Sequence, residues 1–95
     1  MTTNLSNSLY VRILSPKQVF FTGQADSVSS TNSSGKFDFL PAHSNFISFI
    51  ENSPIIVRAK DKPEQSFNFP FAIIYTVNNI VNVYTDIQLT LTPKK

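Results

Sequence analysis

Of the residue types that carry chemistry, the chain of 95 residues offers one histidine, His43, followed directly by Ser44, and six carboxylates: Asp26, Asp38, Glu51, Asp61, Glu64 and Asp86. A nucleophilic serine needs an imidazole base that is itself oriented by a carboxylate, so His43 and Ser44 with Asp38 or Asp26 make the one candidate set. Residues adjacent in sequence seldom converge in that geometry. No G-x-S-x-G pattern is present to raise a serine on a strand-to-helix turn. The carboxylates stand singly, without metal-ligand spacing, and the two glycines, Gly23 and Gly35, build no loop that would cradle a phosphate. Each carboxylate reads as a turn or solvent-face residue. Cysteine is absent, so disulfides and thiolate metal sites are excluded, which fits a reducing compartment. The chain reads as non-catalytic, with no cofactor, no metal and no small ligand expected.

The element that must position His43 is the stretch Gly35-Lys36-Phe37-Asp38-Phe39-Leu40-Pro41-Ala42-His43. Phe37 and Phe39 fall at i and i+2, so a strand here turns both rings to one side and Lys36, Asp38 and Leu40 to the other. Pro41 lacks an amide hydrogen and biases Leu40 toward extended geometry, which ends the strand. His43 is therefore presented on a loop. One reading is a histidine that bonds a backbone group and fixes its turn; the other is a partner contact held by a rigid scaffold.

Around this stretch the pattern is of short strands. Leu9, Val11 and Ile13 alternate with Tyr10, Arg12 and Leu14, and Ser15-Pro16 turns into Val19-Phe20-Phe21, predicting an antiparallel hairpin that Gly23 closes. Residues 25–30 offer a third strand with Ala25 and either Ser27 or Val28 inward. The serine-rich segment 29–35 reads as a loop, because its side chains bond their own backbone. Residues 46–50 place Ile47 and Phe49 on one side and Phe46 and Ile50 on the other, with both sides at least partly covered. Glu51-Asn52-Ser53-Pro54 reads as a turn before Ile55, Val57 and Ala59. Asp61-Lys62-Pro63-Glu64 reads as a solvated hairpin tip. Phe67, Phe69, Phe71, Ile73, Tyr75 and Val77 form the longest period-two run, which Pro70 splits, at an edge or bulge, into two short strands. Asn78-Asn79 turns the chain into residues 80–85, and residues 87–92 make a last strand. No 3.6-residue stripe persists, so no helix is expected. About ten short, mostly antiparallel strands predict an all-β sandwich over residues 9–92, with a disordered segment at 1–8 and a tail at 93–95.

Composition narrows the partners. A chain this short buries somewhat over about 60% of its unfolded surface, and nine Phe and three Tyr must supply much of the core. Net charge is +2, and the basic residues form no face: Lys94 and Lys95 lie at the tail, while Lys60 and Lys62 alternate with Asp61 and Glu64. Nucleic acid is not expected as a partner. No apolar run approaches the ~18 residues of a membrane span, and residues 1–8 lack the basic start and apolar middle of a signal peptide. Membrane contact is expected only through partner subunits.

Three stretches, in order, resemble the epsilon subunit of F-type ATP synthases, called delta in mitochondria. The segment Val11-Arg12-Ile13-Leu14-Ser15-Pro16-Lys17-Gln18-Val19-Phe20-Phe21-Thr22-Gly23-Gln24-Ala25-Asp26-Ser27-Val28 is similar to that family's strand, T-P-E, apolar strand, then G-E-A-D-x-V. Gly35 to His43 resembles E-G-E-(F/I)-G-(I/V)-L-P-G-H, and Asn78-Asn79-Ile80-Val81-Asn82-Val83-Tyr84-Thr85-Asp86 resembles N-N-K-V-T-V-L-A-D. The likeness spans about residues 9–88.

That resemblance implies a ten-stranded β-sandwich and a non-catalytic rotor subunit that binds the gamma shaft and the proteolipid ring, peripheral at the cytoplasmic face of the cell membrane. It marks Ser34, Gly35, Lys36, Pro41, Ala42 and His43 as partner-binding residues, since the family's corresponding loops lie near the ring. The family's acidic residues flanking the glycine are Ser34 and Lys36 here, two of its glycines are Asp38 and Ala42, and Phe71-Ala72 stands for its usual Gly-Gly. The family also continues into a helical hairpin that restrains ATP hydrolysis. A sandwich without that hairpin is expected to couple or stabilise without inhibiting. A broad, dry contact with gamma requires exposed apolar residues on one side, and Phe46, Ile50 and Ile56 are available for it. Two rivals remain: a free-standing interaction module taking an extended peptide at the edge near Pro70, and a small enzyme using His43.

Overall fold

The computed structural model describes residues 8–42 and 45–85. Within them lie seven strands and no helix: β1 (Leu9–Leu14), β2 (Val19–Ala25), β3 (Ser27–Asn32), β4 (Gly35–Phe39), β5 (Phe46–Arg58), β6 (Gln65–Val77) and β7 (Ile80–Thr85). They bond in the order β2-β1-β7-β6-β5-β3-β4. Every pairing is antiparallel except β1 with β7. The expected all-β, mostly antiparallel class holds; the last expected strand lies outside the described residues, and the other nine become seven.

The difference has a physical cause. Segments read as four strands are two long ones, β5 and β6, and residues 87–92 lie outside the described residues. Glu51-Asn52-Ser53-Pro54 is not a turn, and Pro70 does not divide its strand. Asn52 adopts a left-handed φ of 50° opposite Pro70, between the bridged pairs Glu51–Phe71 and Ser53–Phe69. There the inward side changes parity. Before it on β5, Phe46 and Ile50 face the core; after it, Ile55 and Val57 do. On β6, Phe67 and Phe69 pack on the core, then Ala72 and Ile74 are buried. A regular strand alternates with period two, so the ribbon must twist at this point. Both prolines sit where a missing amide costs little: β7 pairs with β6 only from Ala72 onward, and β3 pairs with β5 only from Ile56 onward.

The twisted ribbon serves both layers of a sandwich. One layer holds β2, β1, β7, the second half of β6 and the first half of β5. The other holds the first half of β6, the second half of β5, β3 and β4. The layers meet through rings: Phe20 on Phe69 with centroids 5.1 Å apart, Phe21 on Phe67 at 5.9 Å, and Phe37 and Phe39 on Phe46 at 5.3 and 5.8 Å. Consecutive phenylalanines share a side because β2 carries a bulge: Ile13 pairs with Phe21 but Leu14 with Val19, which leaves Phe20 as the extra residue. Between the layers Ile13, Ile50, Ile55, Ile74, Val81 and Val83 are fully buried. Burial of each large apolar side chain contributes roughly 1.5–3 kcal/mol relative to exposure.

Two further boundaries differ from expectation. β2 runs through Gly23 to Ala25, and the serine-rich segment is mostly strand, with the turn reduced to Ser33-Ser34. The hydroxyls find cross-strand partners instead of their own backbone. Ser30 Oγ donates to the Pro54 carbonyl at 2.9 Å, and Ser29 Oγ donates to Asp38 while accepting from Arg58 Nη1 at 2.7 Å. The hairpin tip and the Asn turn form where expected: Asp61, Asn78 and Asn79 all have positive φ, and Arg58 pairs with Glu64 beside the tip at 3.0 Å.

Candidate docking surface

The candidate chemical set does not assemble among the described residues. His43 and Ser44 lie outside them. Asp38 accepts the Ser29 hydroxyl, and exposed Asp26 sits at the corner between β2 and β3, its amide donating to the Arg58 carbonyl at 2.7 Å. No group of three or more His, Asp or Glu among the described residues is arranged to hold a metal ion.

The proposed partner residues separate into two groups. Ser34 and Gly35 lie at the β3–β4 turn, where the Ser34 amide donates to Asn32 Oδ1 at 2.8 Å and Gly35 has a φ of 120°. Lys36 follows and is exposed. Pro41 and Ala42 lie past the other end of β4, with the Ala42 amide donating to Asn79 Oδ1 at 2.8 Å. Ala42 has a φ of 68°, so it keeps a left-handed conformation of the kind glycine adopts freely. Strand β4 therefore holds Ser34, Gly35 and Lys36 apart from Pro41 and Ala42.

A larger feature covers the outside of the β2-β1-β7-β6-β5 layer. Residues directly paired across strands share a side. Register therefore aligns Leu14, Tyr84, Ile73 and Phe49 in one row, with Asn82, Tyr75 and Ile47 in the row beside it. Ile47 is 63% exposed and Phe49 62% exposed, and Tyr75 and Tyr84 are also open to solvent. Phe71 stacks on Phe49 with centroids 6.0 Å apart, and Tyr10 and Ile80 extend the surface toward the Asn78-Asn79 turn. Together these side chains make a broad apolar face on the sheet, broken by Asn82 and Arg12. The outside of the other layer is polar, with Lys36, Asp38 and Arg58 exposed.

The residues proposed for such a face need correction. Ile50 is fully buried, Phe46 packs on Phe37 and Phe39, and Ile56 belongs to the other layer. Ile47 and Phe49, expected to be partly covered, are among the most exposed apolar residues. Alternation in residues 46–50 separates the two sets, but it does not say which set is inside. Phe71 and Ala72 sit in regular strand with no positive φ, as their replacement of glycines requires. At the edge proposed for an added peptide, Pro70 lacks the amide that such a strand would bond.

Comparison with known proteins gives the family. Residues 8–89 match the model of the ATP synthase delta/epsilon chain β-sandwich domain. The ATP synthase epsilon chain of Endomicrobium trichonymphae is 34% identical over 80 residues, covering 84% of this chain and 57% of that protein. The chloroplastic epsilon chain of Nephroselmis olivacea is 38% identical over 53 residues, covering 56% of this chain and 40% of that protein. The chain thus spans about half the length of these relatives. Among solved structures, a chain in the Euglena gracilis mitochondrial ATP synthase (OSCP/F1/c-ring) superposes with a TM-score of 0.78 at 8% identity, covering 87% of this chain and 53% of that one. A chain in the Tetrahymena thermophila mitochondrial ATP synthase central stalk and c-ring gives 0.67 at 8% identity, covering 90% and 74%. These structural likenesses concern the fold. With the family model matching most of its length, the chain belongs to the ATP synthase delta/epsilon family as a β-sandwich domain.

Proposed function

We propose that this domain is a non-catalytic central-stalk element of an F-type ATP synthase, docked through its apolar outer face on the gamma shaft and directed by one end toward the proteolipid ring. In that role it helps couple ion flow to ATP synthesis at the cytoplasmic face of the cell membrane, held there by its partners. No helix among the described residues is long and apolar enough to cross a membrane. The observation that carries the reading is the broad apolar face of Ile47, Phe49, Ile73, Tyr75 and Tyr84, supported by family membership. Torque passes between rigid bodies only through a broad dry contact, and a stiff sheet meets that need.

Calorimetric titration of the full chain with the matching gamma subunit tests it. Wild type binds, and Phe49→Asp weakens binding by about 2 kcal/mol or more, the scale of an interface hot spot, with an unchanged melting temperature. Absence of wild-type binding, or equal affinity of the variant, would reject the docking. A cysteine introduced at Ser34 or at Ala42 reports by crosslinking which end meets the ring. Crosslinks from neither remove the ring from the proposal.

A further inference from the structure

Arg12 interrupts the apolar face, and its role follows only if that face meets gamma as proposed above. By register its cross-strand neighbours are Thr22 on β2 and Asn82 on β7, and Tyr10 and Leu14 flank it on the same side of β1. Among the described residues that register places on this outer side, only Arg12 and Glu51 are charged. Glu51 lies at the far corner, paired with Phe71. Arg12 therefore sits at the β1 end of the Asn82–Tyr75–Ile47 row, in a largely uncharged surface between the Tyr84 row and the Tyr10–Ile80 pair.

The guanidinium keeps its charge under all physiological conditions and offers five N–H donors in a planar fork. Arg12 Nη1 donates to Asn82 Oδ1 at 3.3 Å, and Asn82 is itself only 9% exposed, so the sheet fixes one arm of the fork. Docking a partner on the surrounding apolar residues takes the guanidinium out of water. A charge desolvated without an acceptor opposes binding, whereas one met by a carboxylate with parallel bonds gains both affinity and registry. We infer that Arg12, oriented by Asn82, is the specificity-determining residue of this face, and that the docking patch of gamma presents one Asp or Glu carboxylate to it within an apolar surround.

The test uses the full chain and the purified gamma subunit of the same ATP synthase, comparing wild type, Arg12→Leu, Arg12→Lys and Phe49→Asp, with thermal melts as a folding control. If a carboxylate faces Arg12, Arg12→Leu strands that carboxylate and weakens binding by about 30-fold or more, and Arg12→Lys falls between. Added salt slows wild-type association more than that of Arg12→Leu. If no carboxylate is there, Arg12→Leu binds equally or more tightly, because a desolvation cost has been removed. That result overturns the inference, and a Phe49→Asp defect in the same series leaves the docking standing. Failure of wild type to bind gamma overturns both.

Discussion

Ala42 holds a φ of 68° that an alanine adopts at a cost, because its Cβ crowds the backbone in the left-handed region. That cost is roughly 1–2 kcal/mol, against about 0.5–1 kcal/mol of extra chain entropy that a glycine loses on folding. Ala42→Gly should therefore stabilise the domain by about 0.5 kcal/mol or slightly more. Thermal unfolding checks this, with an expected rise of a few degrees, given about 4–8 °C per kcal/mol for a domain of this size. A lower melting temperature would mean that the Ala42 methyl makes contacts outweighing the backbone term. At this scale the sequence was partly legible. The family's glycine at this place announces the conformation, but alanine on its own does not. The face of Leu9, Val11 and Ile13 was also readable, because polar Arg12 marks the outside of a strand that is regular there. Phe20 and Phe21 were not readable, since adjacent rings share a side only through a bulge, and no residue type demands one.

The β5–β6 ribbon decides which residues become surface, and its decisive position is Asn52 opposite Pro70. Asparagine tolerates left-handed φ better than most residues, whereas a β-branched side chain there is strained. Asn52→Val is expected to cost about 1–3 kcal/mol, and Asn52→Gly to be neutral or mildly stabilising. Urea unfolding separates the two. Equal loss from both would show that the Asn52 side chain, not its backbone, matters. Local chemistry signals something special at residues 51–54 and at Pro70, and it suggests a turn at the first and a strand break at an edge or bulge at the second, because turn residues and twist residues are the same types. Only long-range pairing distinguishes them: a continuous ladder from Phe46–Thr76 to Val57–Gln65 outweighs the local preference. The period-two run from Phe67 to Val77 misled for the same cause. It lies on one side by spacing, yet the twist sends Phe67 and Phe69 to the core and leaves Phe71, Ile73 and Tyr75 on the outside with Ile47 and Phe49.

For the whole molecule the consequence is a division of labour between neighbouring isoleucines of one strand. Ile50 is fully buried between the layers, while Ile47 is 63% exposed on the apolar face. Ile50→Ala removes buried methylene groups and leaves a cavity, a loss of about 2–5 kcal/mol, which is a large share of a small domain's stability. Ile47→Ala should stay within about 0.5 kcal/mol of wild type in stability, as exposed substitutions do. Affinity for gamma should show the reverse order when measured well below the melting temperature of the Ile50 variant. There Ile47→Ala is expected to weaken binding if the apolar face is the contact proposed above, and the folded fraction of Ile50→Ala keeps the same outer face. Binding that tracks stability in both variants would mean that gamma recognises only whether the domain is folded. Opposite orders would tie recognition to the exposed side of β5. A sandwich with one apolar and one polar outside has a single face suited to a dry contact, and the twist at Asn52 and Pro70 decides which rings that face exposes.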